Sequence, residues 1–170
     1  ATCKVGVVWN SGTTVSTRLL QRPTGSEVGP AAVVHGWVEA LAGYLEQNGL
    51  FWDQVHGVGL AIPGPFQYYG VLDHSANLPP AFVGFDIHTA YLQALAERAG
   101  AAVPLIVGND GNTGGVAEAQ RARGNTSGTV LMLAPGSGLG GADVCPGGRG
   151  SQGARERGGG GAPARPARTR

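Results

Sequence analysis

The stretch Val103–Pro104–Leu105–Ile106–Val107–Gly108–Asn109–Asp110–Gly111–Asn112 carries the signal from which the fold of this chain is read. A proline leads into a short apolar run with β-branched residues. The run ends in amides, a carboxylate and glycines, and a helix-forming segment, Val116 to Arg123, follows. That order predicts a buried strand, a tight turn and a helix start. In open α/β sheets, ligands gather at the carboxyl ends of strands. Asp110 is expected there, with Asn109 and Asn112 beside it. A carboxylate so placed can orient a hydroxyl and take its proton. Asn109 or Asp110 can equally serve only as a helix cap, and the residues alone leave both roles open.

Toward the N-terminus, Val55 to Ile62 is apolar nearly throughout, as expected of a strand buried on both faces. It runs into the rigid turn Pro63–Gly64–Pro65–Phe66. A further strand is expected over Tyr68 to Leu72, then a loop, Asp73 to Pro80. Asp73 and His74 in that loop could form an acid–base pair, but a plain turn explains them as well. Asp86 is placed to cap a helix reaching Ala99, with Ile87, Ala90, Tyr91, Ala94 and Leu95 on one face and Gly100 at its end. Earlier still, Pro30 opens a helix over Ala31 to Asn48. Val34, Trp37, Val38, Leu41 and Leu45 make its apolar face, and Gly49 closes it. His35 on that helix reads as a surface or satisfied histidine. The chain starts with a candidate hairpin, Lys4 to Trp9 and Val15 to Leu20, around Asn10–Ser11–Gly12–Thr13. Such a turn can offer N–H groups to a phosphate or be an ordinary hairpin turn.

Toward the C-terminus, a strand over Thr129 to Ala134 leads into Pro135–Gly136–Ser137–Gly138–Leu139–Gly140–Gly141, a flexible loop whose N–H groups can cradle an anion. No Gly-Lys-Ser/Thr follows, so it is not a P-loop, and its last glycine spacing does not fit a dinucleotide fingerprint. Ala142, Val144 and Cys145 begin a further strand. Strands and helices alternate after a hairpin start, which is the α/β class. Three strand-end loops then stand out. Two can hold phosphate and one can hold a base, the set that phosphoryl transfer needs.

Composition narrows the class. The 170 residues are 42% hydrophobic and 14% charged, room for one domain, or for one domain and a piece of another. No apolar run has the length of a membrane span, and the first residues lack the layout of a signal peptide. Cys3 and Cys145 have no CxxC spacing, so neither a zinc site nor a disulfide framework is expected, and a cytoplasmic setting is. The net charge of +1 hides an asymmetry: residues 1–145 carry six Lys or Arg against ten Asp or Glu, and residues 146–170 carry six Arg against Glu156 alone. The latter stretch has no Leu, Ile, Val, Phe, Met, Tyr or Trp, so its composition predicts a disordered Gly/Arg/Pro-rich tail. Its arginines could meet phosphates, but no aromatic residue interleaves them to stack on bases, and nucleic acid is not the expected partner.

Four segments, in this order, resemble the ROK family of bacterial sugar kinases and sugar-responsive repressors, and its glucokinase-type members most. They are Gly59–Leu60–Ala61–Ile62–Pro63–Gly64–Pro65, then Ser75–Ala76–Asn77–Leu78–Pro79, then Gly108–Asn109–Asp110–Gly111–Asn112 with Ala117–Glu118–Ala119, and Pro135 to Gly141. The similarity runs over residues 4–144. It implies the actin-like, ribonuclease-H-type fold: an N-terminal lobe with the sugar site over 1–127, the first strand and phosphate loop of a truncated second lobe over 128–145, and the tail over 146–170. It implies transfer of a phosphoryl group from ATP, with Mg2+, to a hexose hydroxyl, with glucose the first candidate. Position by position, Asp110 matches the family's catalytic base. Asn109, Asn77 and Gly64 match sugar-binding positions. Gly12 and Thr13 match the end of the first phosphate loop, and Gly136, Ser137 and Gly138 match the second.

Two departures qualify the resemblance. The family's first phosphate loop reads Asp-x-Gly-Gly-Thr, and here Trp9–Asn10–Ser11–Gly12–Thr13 takes its place, with Trp9 at the acidic position. The family's Glu-x-Gly-His sugar segment, its zinc site and most of its ATP-binding lobe have no counterpart in these residues. A weakly active or inactive kinase is therefore expected. The alternatives are a sugar-binding or regulatory ROK remnant without catalysis, and a scaffold or dimerisation fragment without ligand. A homodimer stays open, and a membrane partner is not expected.

Overall fold

The computed structural model describes residues 2–74, 78–123, 128–135 and 139–144. They fall into two compact units, Ala1–Thr113 and the residues from Gly114 onward. Asn77, Gly136, Ser137, Gly138 and the 146–170 tail lie outside the described residues.

The first unit opens with the expected hairpin, but its regular ladder is shorter and its second strand later than the pattern predicts. Strand β1, Thr2–Val5, pairs antiparallel with β2, Leu20–Pro23, in the register Thr2↔Pro23 to Val5↔Leu20. Beyond it, Leu19 lies over Gly6, where a Cβ would come within 2.6 Å of Leu19 Cδ2. A glycine inside a strand weakens its pairing. The two arms then meet only through single bonds, Val15 N–H to the Val7 carbonyl at 2.9 Å and Trp9 N–H to the Thr13 carbonyl at 2.8 Å.

Two helices build the core. Helix α1, Pro30–Gln47, begins with its proline in the first turn and buries Val34, Trp37, Val38, Leu41 and Leu45, the five residues of the predicted face. His35 is exposed, as expected. Gly49, at φ +67°, takes the left-handed turn that leads the chain away. Helix α2, Ile87–Ala99, buries Ile87, Tyr91, Ala94 and Leu95 and ends at Gly100, which is left-handed at φ +71°. The helices pack through Trp37 and Tyr91, whose rings lie 6.5 Å apart. Arg98 also bonds Glu39 at 3.2 Å and Glu46 at 3.0 Å. Exposed ion pairs contribute under about 1 kcal/mol each, whereas a buried large apolar side chain contributes about 1.5–3 kcal/mol. Apolar packing therefore sets the pairing of the helices. Cys3 packs at the edge of this core, and burial pushes its thiol up against the opposing pull of Arg22.

The central strands are β3, Val58–Ile62, and β6, Leu105–Asn109, paired in parallel. Between them in sequence, β4, Phe66–Tyr68, and β5, Val71–Leu72, form a small hairpin where one strand was expected. Burial of β3 on both faces does not hold. Leu60 and Ile62 turn into the core, whereas Gly59 and Ala61 are exposed, and so is Ile106 of β6, at 72%. Within this unit the helices cover one face of the strand pair.

Helix α3, Asp110–Arg123, begins six residues before the helix-forming run that signals it. In the second unit, β7, Val130–Pro135, and β8, Leu139–Val144, form an antiparallel hairpin in the register Val130↔Val144 to Pro135↔Leu139. Leu139–Gly141, expected as loop, are thus strand. Among the described residues, no helix is long and apolar enough to cross a membrane.

Asp86 caps α2 as predicted: its Oδ1 accepts the Thr89 N–H at 2.9 Å and its Oδ2 the Thr89 hydroxyl at 2.7 Å. These bonds hold the Asp86 carboxyl below its ordinary value of 3.8. A depressed folded value gives stability that is present above the unfolded value and lost as pH falls through the folded one. Asp86→Ala is expected to cost about 1 kcal/mol at neutral pH. In urea unfolding, its gap to the unsubstituted chain should close as pH is lowered below 3.8.

Candidate functional site

The parallel register builds the site. The ladder opens with Val58 N–H donating to the Pro104 carbonyl at 2.8 Å and ends with Ile62 opposite Asn109. Both strands therefore stop at one level, and the turn Pro63–Gly64–Pro65 emerges beside Asn109–Asp110. The approach is close: a Cβ on Gly64 would stand 2.8 Å from Asn109 Nδ2. Any other residue at 64 would press on the amide.

The turn from β6 into α3 is equally tight. Asn109 Oδ1 accepts the Asn112 N–H at 3.0 Å, and the Thr113 hydroxyl donates to the Asn109 carbonyl at 2.8 Å. Thr113 Oγ1 would lie 2.7 Å from a Cβ on Gly108, so this reversal needs glycine there. Asn109 is thus the cap of α3, which resolves the choice between Asn109 and Asp110. Asp110 occupies the first helical position, is exposed, and accepts the Gly111 N–H on Oδ1 at 2.8 Å. A half-buried amide with Nδ2 toward the Gly64 turn and an exposed carboxylate therefore stand next to each other. Together they can donate to one hydroxyl and accept from another.

A third loop starts from the same place. Asp73 N–H donates to the Pro65 carbonyl at 3.0 Å, so Asp73 lies beside the Gly64 turn. Asp73 and His74 pair at 3.3 Å, and both are exposed.

The Ser11–Thr13 turn is a compact loop: Gly12 N–H donates to the Trp9 carbonyl at 2.8 Å and the Ser11 and Thr13 hydroxyls meet at 2.8 Å. Gly12 has φ +85°, and a Cβ there would meet nothing within 4 Å, which leaves space for an anion. The N–H groups of Trp9, Gly12 and Thr13 are engaged internally, and Trp9, 49% exposed, offers no carboxylate for a cation. No hydrogen bond among the described residues joins this turn to Gly64 and Asn109. Among the described residues, no group of three His, Cys, Asp or Glu comes together to hold a metal ion. Gly108 and Thr113 escaped the sequence reading. Their signal is the glycine immediately before the capping amide and the hydroxyl four residues after it.

No protein-family model matches the sequence, and no curated protein matches it significantly. Solved structures do. The chain is similar to an inorganic polyphosphate/ATP-glucomannokinase from Arthrobacter sp. strain KM, with 26% identity, a TM-score of 0.64, and 85% of this chain covered against 55% of that one. It is similar to a ROK hexokinase from Thermus thermophilus, with 27% identity, a TM-score of 0.70, and 93% covered against 48%. A ROK family glucokinase from Streptomyces griseus, in complex with glucose and AMPPNP, shares the fold at 22% identity and a TM-score of 0.59, with 85% covered against 41%. The fold is thus a partial actin-like, ribonuclease-H-like α/β fold of the sugar-kinase class. Two of these structures are ROK-family kinases, and the match is consistent with an N-terminal segment, the chain spanning 41% to 55% of the length of the three.

Gly64→Ala tests the close approach. The added methyl must displace the Asn109 amide, and overpacking of this kind costs about 1–3 kcal/mol. The expected outcome is a matching loss in urea unfolding with shifted Asn109 side-chain NMR signals, whereas Gly59→Ala, which meets open space, leaves those signals in place.

Proposed function

We propose that the chain carries the sugar-binding half of an ATP-dependent hexose kinase of the glucokinase type, with glucose the first candidate substrate and Asp110 the general base. The meeting of Gly64, Asn109 and Asp110 at the carboxyl ends of two neighbouring parallel strands supports this most directly. A hexose presents adjacent hydroxyls. Asn109 Nδ2 donates to one, Asp110 accepts from the next, and proton transfer to Asp110 makes that oxygen the nucleophile. Asn77 is proposed to complete the sugar contacts from the loop that starts at Asp73. ATP, carrying Mg2+ on its phosphates, supplies the phosphoryl group when bound. Gly12 and Thr13 are proposed to hold phosphate, and so are Gly136, Ser137 and Gly138. In the same reading, residues 1–127 form the sugar lobe and 128–145 the start of the second lobe.

Trp9 favours a second reading, a sugar-binding or regulatory protein without catalysis. Where the family's phosphate loop has a carboxylate, an exposed indole stands here. Both readings place hexose on Asn109 and differ in turnover.

Calorimetry with glucose is expected to give Asn109-dependent heat. Asn109→Ala removes the Nδ2 donor and should lower affinity at least about tenfold, the worth of one charged or well-placed hydrogen bond. Asp110→Asn should bind within about threefold of the unsubstituted chain, since amide and carboxylate both accept a hydrogen bond. In a coupled assay with ATP and Mg2+, no turnover is expected; turnover abolished by Asp110→Asn would decide for the kinase over the regulatory reading. Absence of heat with glucose, mannose and N-acetylhexosamines would overturn both readings.

A further inference from the structure

The β4–β5 hairpin joins the Gly64 turn to the loop that starts at Asp73, and its tip is fastened at a third point. In a parallel ladder, alternate N–H groups of a strand point to opposite edges. Because Val58 bonds the Pro104 carbonyl, the even-numbered positions of β6 face β3, and the N–H of Val107 points to the other edge. Val107 is buried, at 5% exposure, and a buried N–H requires a partner. That partner is the Tyr69 hydroxyl, 2.9 Å away.

The Tyr69 ring is itself held. It lies 4.9 Å from the His88 ring, tilted by 59°, on the first turn of α2. Gly70 beside it turns with φ +79°, accepts the Ile87 N–H at 3.0 Å, and lies so close to the His88 Cβ that no side chain fits there. The tip of the hairpin is thereby clamped between α2 and the edge of β6, two residues before Asn109.

We infer that Tyr69 is a positioning residue for the sugar site: its hydroxyl locks the β4–β5 hairpin to β6, and so holds the Gly64 turn and Asp73 at fixed distance from Asn109 and Asp110. The role rests on the reading of that cluster as a hexose site. The lock itself is a property of the unliganded chain. Tyr69 makes no hydrogen bond to Gly64, Asn109 or Asp110, and acts through Val107 and the strand that carries Asn109.

Tyr69→Phe keeps the ring and deletes the hydroxyl. In the full chain without ligand, amide exchange at Val107 is expected to accelerate about fivefold or more, the fold-change of one net hydrogen bond, and the Asn109 side-chain signals should shift. Glucose affinity by calorimetry should fall severalfold. Gly100→Ala, which strains the left-handed end of α2, is the control for mere loss of stability: it should lower the unfolding midpoint comparably and leave glucose affinity and the Asn109 signals unchanged. Unchanged Val107 exchange and Asn109 signals in Tyr69→Phe overturn the lock. Altered exchange with unaltered glucose affinity overturns the positioning role while the hexose reading stands. If the unsubstituted chain binds no hexose, the hexose reading falls and the positioning role falls with it, whereas the lock is still decided by exchange. Should Tyr69→Phe fail to fold, nuclear Overhauser contacts between the Tyr69 ring and the Val107 amide in the unsubstituted chain decide the lock, their absence overturning it.

Discussion

The parallel pairing of β3 with β6 is the constraint on which the site depends. Its register brings Ile62 level with Asn109, so two turns far apart in sequence leave the sheet side by side. A slip of one residue would send the side chains of one strand to the wrong face and exchange Val107 for Ile106 in the core. The apolar pattern excludes that slip, since Val107 is buried among the helix residues while Ile106 stands in solvent. Site geometry is thus secured by core burial, through a strand whose last residue belongs to both.

Once the strands are level, small residues decide how close the turns come. Gly64 admits the Asn109 amide, and Gly108 admits Thr113. Capping then divides the labour between two adjacent residues. Asn109 gives its oxygen to the helix and keeps its nitrogen toward the Gly64 turn. A cap is worth about 1 kcal/mol, so this amide has a reason to stay in one orientation before any ligand arrives. Asp110 is released from capping and stands exposed at the first helical position. Its place beside the Asn109 amide is what the proposed role as base rests on.

Much of this was legible in the residues because the signals are local. The spacing of Val34, Trp37, Val38, Leu41 and Leu45 gives one buried stripe, and Asp86 with Gly100 marks both ends of α2. The strand–turn–helix order at Asn109–Asp110 is a local signal too. What escaped reading depends on partners distant in sequence. Whether Asn109 or Asp110 caps α3 turns on where the helix starts, and Gly111, Gly114 and Gly115 hide that start from propensity. Val58–Ile62 is apolar enough for burial on both faces, but coverage of its second face is a matter of which helix arrives there. Tyr69 is invisible as a site residue because its partner is a backbone N–H 38 positions away, and no pattern in side chains records the direction of a backbone donor.

The two ends of the proposed chemistry are unequally equipped. At the sugar end, an amide, a carboxylate and a close glycine turn are present and mutually braced. At the proposed phosphate end, the Ser11–Thr13 turn keeps the open glycine and the hydroxyls but spends the Trp9, Gly12 and Thr13 N–H groups on its own closure. Phosphoryl transfer depends on positioning and charge compensation more than on the strength of the base. A base without a cationic partner for the phosphates can bind and polarise a hydroxyl but gains little rate, because the negative charge building on the transferred group has nothing to meet it. On the proposed reading, the indole at position 9 therefore bears on turnover and not on sugar recognition, and the binding and the catalysis proposed for this chain are separable.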